Sequence, residues 1–414
     1  MNRIGILLEN NNIDPVLVTY CGLLVSASVL VYCGSYATLH RPETALEPDP
    51  KDPLFDSDDL APQSTVERLE KQDAYLMPVM GACVLVGLYV LIKKVDKSWI
   101  ELFANAYFTV YGTFAMANAF GNFATFILKK AGFRLTRWKL ALQKNPPIGN
   151  IKSKINFNGI DNDIDQDKKK EIEKQIVANV TFNSAEFSSI PLAVSISAAN
   201  WYVGQNWALG NVLSASLAYS TIQLLSIDSF LTGYIMLTGL FFYDIFFVFK
   251  TNIMVTVATS LSVPIKLSMP RPTTSSSSSS STAYSILGLG DIIVPAIFVS
   301  LCLRFDMWNH YRQNPGLTYA SARTFSKPYF SIAMVMYIIS LCVTILVMHI
   351  FHAAQPALLY LCPGIGGATL LVSVYRKEWA LLWEYKELSE NPAEDPADGL
   401  SNSNNSTDTE RKEK

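Results

Sequence analysis

Apolar residues are grouped along the chain into long uncharged runs that are separated by polar segments. Roughly 20 residues of helix cross the hydrocarbon core of a bilayer, so an uncharged apolar run of about 18 or more indicates a transmembrane helix. The fourth of the runs is short and contains Asn200. The approximate bounds are 16–39, 75–95, 100–128, 189–203, 206–226, 230–249, 286–304, 329–351 and 357–375. We therefore predict an all-α membrane protein, a bundle of nine transmembrane helices.

The polar segments divide the chain into three predicted parts. Residues 1–188 hold the first three spans and a cytosolic insertion at 129–188, in which we expect 176–187 to form a short strand pair. Residues 189–375 hold the other six spans and are predicted to be the catalytic region. Residues 376–414 are predicted to be a disordered cytosolic tail, because the sequence after Glu387 is rich in Asn, Ser, Glu and Lys.

The positions of Lys and Arg predict the orientation, because cytoplasmic loops carry an excess of both. Nine spans put the two termini on opposite sides of the membrane. A lumenal N-terminus places the basic segments 129–188, 305–328 and 376–414 in the cytosol. Lys93, Lys94 and Lys97 oppose this placement because they would lie in a lumenal turn. The majority of the basic residues favours a lumenal N-terminus and a cytosolic C-terminus.

Composition and charge narrow the range of functions. Half of the 414 residues are hydrophobic and only 16% are charged, which fits the membrane assignment. The net charge of −2 creates no basic field, so we expect no nucleic-acid partner. The six cysteines show neither a CxxC motif nor a Cys/His metal spacing. We interpret them as packing residues and expect neither a metal nor another cofactor.

Two carboxylates lie well inside predicted spans, Asp244 in the sixth and Asp291 in the seventh. A charged side chain at the bilayer centre costs about 2.5–3.5 kcal/mol on insertion scales, so such residues tend to be functional. If span six ends near 249 and span seven begins near 286, both carboxylates lie roughly 7–8 Å below the same face. Two consecutive antiparallel helices would then place them opposite each other.

Two neighbouring carboxylates predict general acid–base chemistry. They cannot both ionise cheaply and therefore share a proton near neutral pH. The ionised member can activate a water molecule while the protonated member donates to a carbonyl oxygen. Tyr243 offers a phenol beside Asp244, and Gly288 and Gly290 permit close backbone approach near Asp291. The glycines also fit ordinary helix packing.

A third feature is Gln355-Pro356-Ala357-Leu358, before the last span. Pro356 lacks a backbone N–H and interrupts or starts a helix. The irregular backbone there could present unpaired groups to an extended peptide, although an ordinary helix start explains a lone proline equally well.

These three motifs together resemble those of the GxGD intramembrane aspartyl proteases, the family of presenilin and signal peptide peptidase. They are Tyr243-Asp244, Gly288-Leu289-Gly290-Asp291 and Gln355-Pro356-Ala357-Leu358, in the family's order and on the expected spans. The flanking sequence is more similar to the signal peptide peptidase branch, most strongly over 207–374. The likeness is weaker in the first four spans.

The resemblance implies a presenilin-like nine-helix fold and an intramembrane aspartyl endopeptidase of the endoplasmic reticulum. Asp244 and Asp291 would be catalytic, Tyr243, Gly288 and Gly290 would support them, and 355–358 would bind substrate. Substrates would be helical remnant signal peptides, with tail-anchored or misfolded membrane proteins as further candidates. The family also suggests homo-oligomers and quality-control partners. The basic C-terminus, Arg411-Lys412-Glu413-Lys414, is similar to a dibasic retrieval signal.

Two other functions compete with proteolysis. A proton- or cation-coupled carrier would also use paired intramembrane Asp residues. Carriers often contain repeats with broken helices in both halves, whereas both Asp residues here lie in the second half. A non-proteolytic scaffold for membrane quality control is the third hypothesis, because an intact active site can coexist with scaffolding.

Overall fold

A computed structural model describes the chain over most of its apolar runs. The described residues are 15–49, 52, 67–131, 137–143, 176–203, 206–251, 253, 256–257, 265–271, 284–321, 323–351 and 355–387. The retrieval-like C-terminus and most of the 129–188 insertion lie outside these residues.

Nine long helices occur in the described part of the chain, one at each predicted span. They are α1 (Pro15–Ala37), α2 (Lys71–Lys94), α3 (Lys97–Lys130), α4 (Ser184–Val203), α5 (Trp207–Leu224), α6 (Phe230–Ile245), α7 (Gly290–Gln313), α8 (Pro328–Phe351) and α9 (Leu358–Tyr375). A π-helical segment, Phe246–Lys250, extends α6. A short helix, α10 (Trp379–Glu384), follows α9.

Several helices could span a membrane, which confirms the predicted class of an all-α membrane protein. Five stretches of the described chain are long and apolar enough to cross a bilayer: Val16–Ala37, Lys71–Lys94, Phe230–Lys250, Pro328–Phe351 and Leu358–Tyr375. The count of nine crossings stays a prediction.

Three two-stranded sheets occur in the described part of the chain. Strand β1 (Glu67–Leu69) pairs in parallel with β4 (Leu225–Ile227). Strand β2 (Arg137–Gln143) pairs in antiparallel with β3 (Ile176–Asn183), and β5 (Lys266–Pro270) pairs in antiparallel with β6 (Tyr284–Gly288). The strand pair predicted within 176–187 is therefore wrong: 176–183 form a single strand whose partner is 137–143, and 184–187 belong to α4.

The helices belong to two compact units of interleaved segments. Unit one contains 1–37, 86–223 and 253–293, and unit two contains 38–85, 224–252 and 294–414. In unit one α3 packs along α4, where Thr113 Oγ1 donates to Ser197 Oγ at 2.8 Å. In unit two α9 packs against both α8 and α6.

The start of span seven differs from its prediction. Residues 286–288 belong to β6, and α7 begins only at Gly290. Asp291 is therefore the second residue of its helix instead of lying five residues inside it. The depth comparison that used residue 286 as the helix start is wrong on this point. An apolar run as short as 284–289 does not distinguish a strand from a helix.

The beginning of the tail also differs from its prediction, because residues 376–387 are ordered. The ring of Tyr385 is buried and packs against Phe230, Phe305 and Trp308 at centroid distances of 6.0, 5.3 and 5.2 Å. Glu387 accepts a charged hydrogen bond of 3.0 Å from buried Arg304 and also pairs with His40. The prediction of disorder came from the polar residues after Glu387, whereas half of the twelve residues at 376–387 are hydrophobic.

Candidate active site

Asp244 is buried near the C-terminal end of α6, with 3% of its surface exposed. Helix α6 starts at a proper N-cap, because Ser229 Oγ accepts a hydrogen bond from the Thr232 N–H at 3.4 Å. The regular helix ends at Ile245 and continues as the π-helical segment. Single π-helical turns are rare and frequently occur at functional sites.

The carboxylate of Asp244 meets the start of α9. Its Oδ2 atom accepts a hydrogen bond of 3.1 Å from the backbone N–H of Leu358. Helix N-termini leave their first N–H groups without partners in the helix, and they carry a partial positive charge. The Asp244 carboxylate therefore caps α9 from a neighbouring helix.

The proline motif shapes that helix start. Pro356, Ala357 and Leu358 are buried, and the carbonyl of Ala357 accepts from the N–H groups of Tyr360 and Leu361, both at 3.1 Å. Ala357 is the N-cap and has no side-chain hydrogen bond. Because no local side chain caps α9, the bond from Leu358 to Asp244 supplies a partner that the motif lacks.

Tyr243 packs against Phe247 and faces α2. Its ring lies 4.7 Å from the ring of Phe247, and a Cβ atom added to Gly81 of α2 would lie 3.6 Å from it. Nearby, a Cβ atom added to Gly239 would lie only 2.6 Å from Cγ of Pro78. Helices α2 and α6 therefore approach closely one turn before Asp244. The role of the phenol in binding stays a prediction.

Asp291 belongs to unit one and is half-buried. A Cβ atom at Gly288 would lie 3.4 Å from Oδ2 of Asp291, so glycine at this position leaves room beside the carboxylate. A Cβ atom at Gly290 would meet nothing within 4 Å. The glycines thus differ: Gly288 keeps space open at the acid, and Gly290 shows no close approach.

The β5–β6 hairpin leads directly into Asp291. Its register pairs Ser268 with Ile286 and Lys266 with Gly288, and the Leu289 N–H donates to the Ile265 carbonyl at 3.3 Å. The alternation of polar and apolar residues at 266–269 is the signal that could have predicted β5.

Asn211 on α5 holds the outer edge of β5. Its Nδ2 donates to the Ser268 carbonyl at 2.7 Å, and its Oδ1 accepts from the Ser268 N–H at 2.8 Å. Ser214 Oγ donates to the Lys266 carbonyl at 3.1 Å. The Asn211 amide therefore pairs with the Ser268 peptide as a neighbouring strand would.

A further buried carboxylate, Asp306, lies on α7 and was not predicted from the sequence. Its Oδ1 accepts from the Tyr329 N–H at 3.3 Å and its Oδ2 from the Phe330 N–H at 2.8 Å, both at the start of α8. Asp306 follows the end of predicted span seven, so only the course of α8 reveals its structural role.

The predicted site residues are thus brought together in two groups. Asp244 lies with the proline motif in unit two, and Asp291 lies with Gly288 in unit one. The pairing of the two acids stays a prediction. No group of three or more His, Cys, Asp or Glu side chains that could hold a metal ion occurs among the described residues.

Comparison with known proteins identifies relatives over most of the chain. Residues 61–389 match the signal peptide peptidase family. The chain is 32% identical to mouse signal peptide peptidase over 355 residues, covering 84% of this chain and 82% of the mouse protein. It is 31% identical to human signal peptide peptidase over 332 residues, covering 80% and 76%. A probable intramembrane protease of Saccharomyces cerevisiae is 28% identical over 447 residues, covering 93% of this chain and 75% of the yeast protein.

Proposed function

The chain belongs to the signal peptide peptidase family of intramembrane proteases, and we propose that it hydrolyses peptide bonds inside membrane helices with Asp244 and Asp291 as its acid–base pair. The family assignment makes the protein an intramembrane peptidase. The comparisons give no support to a carrier or a scaffold.

The observation that carries the aspartyl mechanism is the way Asp244 uses its two oxygens. Oδ2 accepts the Leu358 N–H, while Oδ1 has no hydrogen-bond partner among the described residues. An intramembrane carboxylate oxygen that no described donor holds is open to a water molecule or to substrate, and acids at membrane depth tend to be functional. Asp244 is thereby held in place by one oxygen and can act through the other.

The proposed reaction is direct hydrolysis. The two acids hold one proton between them, so the ionised acid takes a proton from water and the protonated acid donates to the scissile carbonyl oxygen. The water oxygen attacks the carbonyl carbon to form a gem-diol. The acid that took the water proton then passes it to the nitrogen, the C–N bond breaks, and a diol hydroxyl returns its proton to the other acid. The acids titrate as a coupled pair, so neither role belongs to one residue before substrate binds.

The substrate class follows from the relatives. Two of them are named signal peptide peptidases, so we propose remnant signal peptides as substrates and the endoplasmic reticulum membrane as the location. A lumenal N-terminus and a cytosolic C-terminus complete the proposal. A glycosylation acceptor added before residue 15 should be modified in cells and one added after residue 387 should not, and the reverse pattern would refute this orientation.

Cleavage of a labelled signal-peptide helix by the purified full-length protein tests the mechanism. Asp244→Asn should abolish cleavage yet remain folded, because the amide oxygen can still accept the Leu358 N–H. Asp291→Asn should also abolish cleavage. Asp306→Asn is the matched control, because Asp306 is a buried acid whose two oxygens both accept from backbone N–H groups. This variant should still cleave the peptide. Cleavage by either variant of the pair would exclude the proposed acid–base mechanism.

A further inference from the structure

A long apolar groove runs between α8 and α9 in unit two. It encloses about 560 Å³ and extends from Pro328 to Met336 on α8 and from Pro363 to Arg376 on α9. Both helices are long and apolar enough to cross a membrane. Leu371, on one wall, is 73% exposed, which in a bilayer means contact with lipid. The groove therefore opens toward the acyl chains.

The length of the groove fits one leaflet. The wall from Pro328 to Met336 rises about 12 Å over eight steps, and the wall from Pro363 to Arg376 rises about 20 Å over thirteen steps. Half of the hydrocarbon core is about 15 Å thick. A chain of apolar groups lying in the groove would thus reach from the headgroup level to near the bilayer centre.

Charge and aromatic residues mark one end as the headgroup level. Arg376 lines the groove there, and its guanidinium gives two of its five N–H donors to Glu378, at 3.0 and 3.3 Å. Tyr375 and Trp379 beside it are exposed, and exposed Tyr and Trp are typical of the membrane–water interface. An anionic group at this position would meet a cation at the right depth.

The two glycines that line the groove have different roles. A Cβ atom at Gly364 would collide with Oγ of Ser340, so Gly364 allows α8 and α9 to touch. A Cβ atom at Gly367 would meet nothing within 4 Å. The absence of a side chain at Gly367 therefore serves no contact among the described residues and leaves the groove open.

From these features we infer that the α8–α9 groove binds one phospholipid, with an acyl chain over Gly367 and the phosphate at Arg376. The apolar walls match the chain, the one-leaflet length matches its depth, and the cation matches the phosphate. Such a site lies outside the acid pair and does not depend on the proposed catalytic mechanism.

Native mass spectrometry of the purified full-length protein in detergent, titrated with dioleoylphosphatidylcholine, tests the inference. We expect a single saturable lipid adduct. Gly367→Leu should remove it, because the new side chain fills open groove space without a clash. Gly87→Leu is the matched control, since Gly87 is an exposed glycine of α2 whose Cβ would also meet nothing within 4 Å. The adduct should persist in that control.

A second pair of variants tests the phosphate contact. Arg376→Gln and Glu378→Gln both break the same ion pair, but only the first removes the cation. We expect Arg376→Gln to weaken the adduct about tenfold, as the loss of one charge-assisted hydrogen bond would, and Glu378→Gln to retain it. Dioleoylglycerol, which has the same chains and no phosphate, should bind about tenfold more weakly to the unmodified protein.

Three results would overturn the inference. One is an adduct that survives Gly367→Leu or disappears equally in Gly87→Leu. Another is equal weakening by Arg376→Gln and Glu378→Gln. A third is a Gly367→Leu protein that keeps its lipid but loses a dimeric or larger mass, which would assign the groove to a second copy of the chain.

Discussion

Replacing Asn211 by alanine should loosen the hairpin that precedes the second acid of the pair. The Asn211 side chain makes two hydrogen bonds to the peptide of Ser268, at 2.7 and 2.8 Å. Because the N–H and C=O of Ser268 point to α5, the alternation of an antiparallel pair assigns the cross-strand bonds to Leu267 and Met269. Asn211 therefore fixes one side of β5 while β6 occupies the other.

The magnitude follows from those two bonds. A hydrogen bond within a protein contributes about 0.5–1.5 kcal/mol net, so losing both costs the hairpin about 1–3 kcal/mol. Local opening of the hairpin should become roughly 5- to 150-fold more frequent. Strand β6 ends at Gly288, two residues before α7 begins and three before Asp291, so the opening should also lower the rate of peptide cleavage.

Hydrogen exchange measured by mass spectrometry on the full-length protein reads the opening directly. We expect faster exchange at 265–271 and 284–289 in Asn211→Ala, with the rest of the helices unchanged. Asn206→Ala is the matched control, because the Asn206 side chain accepts only the Ala208 N–H at 3.1 Å at the exposed start of α5. Unchanged protection of the hairpin in Asn211→Ala, or equal loss in both variants, would refute the reasoning.

Three further predictions concern stability. Gly239→Ala should destabilise the protein by about 1–3 kcal/mol through overpacking against the Pro78 ring, whereas Gly210→Ala, whose Cβ meets nothing within 4 Å, should stabilise it by up to about 1 kcal/mol. Thermal unfolding midpoints that shift in the same direction in both variants would contradict this. Asp306→Ala should cost about 1–3 kcal/mol and Asp306→Asn less, since only alanine leaves both N–H groups of α8 unpaired; equal unfolding midpoints would argue against the cap. Burial raises the pKa of Glu387, but the charge of Arg304 and the contact with His40 outweigh it and lower the pKa to about 2. Docking of 385–387 should therefore weaken as pH falls from about 4.5 to 2. Proteolysis of this segment should report the weakening, and its pH dependence should be lost in Glu387→Gln.

Hydropathy predicted the helices well because crossing a bilayer demands a long uncharged run, and that demand is visible in sequence. It predicted the helix ends less well. At span seven the apolar residues 286–288 continue β6, since pairing with β5 satisfies their backbone and Gly288 leaves room at Asp291. A strand partner some 20 residues earlier is not encoded in the local pattern.

Tertiary contacts explain the other differences. The segment 376–387 was grouped with the polar tail, yet half of its residues are hydrophobic, Tyr385 fits among aromatic rings of α6 and α7, and Glu387 meets Arg304. The hydrogen bonds of the Asn211 amide to Ser268 could not be predicted from the sequence either, because they depend on the register of β5. The proline motif was predictable as a helix start, but its bond to Asp244 required the fold.

Asp244 and Asp306 together refine what an intramembrane acid indicates. Both cap the first turn of another helix, and for Asp244 this matters because water is not present at membrane depth to satisfy free N–H groups. A buried carboxylate near a helix start thus has a structural explanation and is not by itself a sign of catalysis. The difference lies in the second oxygen: Asp306 commits both oxygens to backbone N–H groups, whereas Asp244 commits one and keeps Oδ1 without a hydrogen-bond partner among the described residues. An acid that is anchored by one oxygen and open at the other is fixed in position and still able to act on water, and this property, more than depth, singles out Asp244.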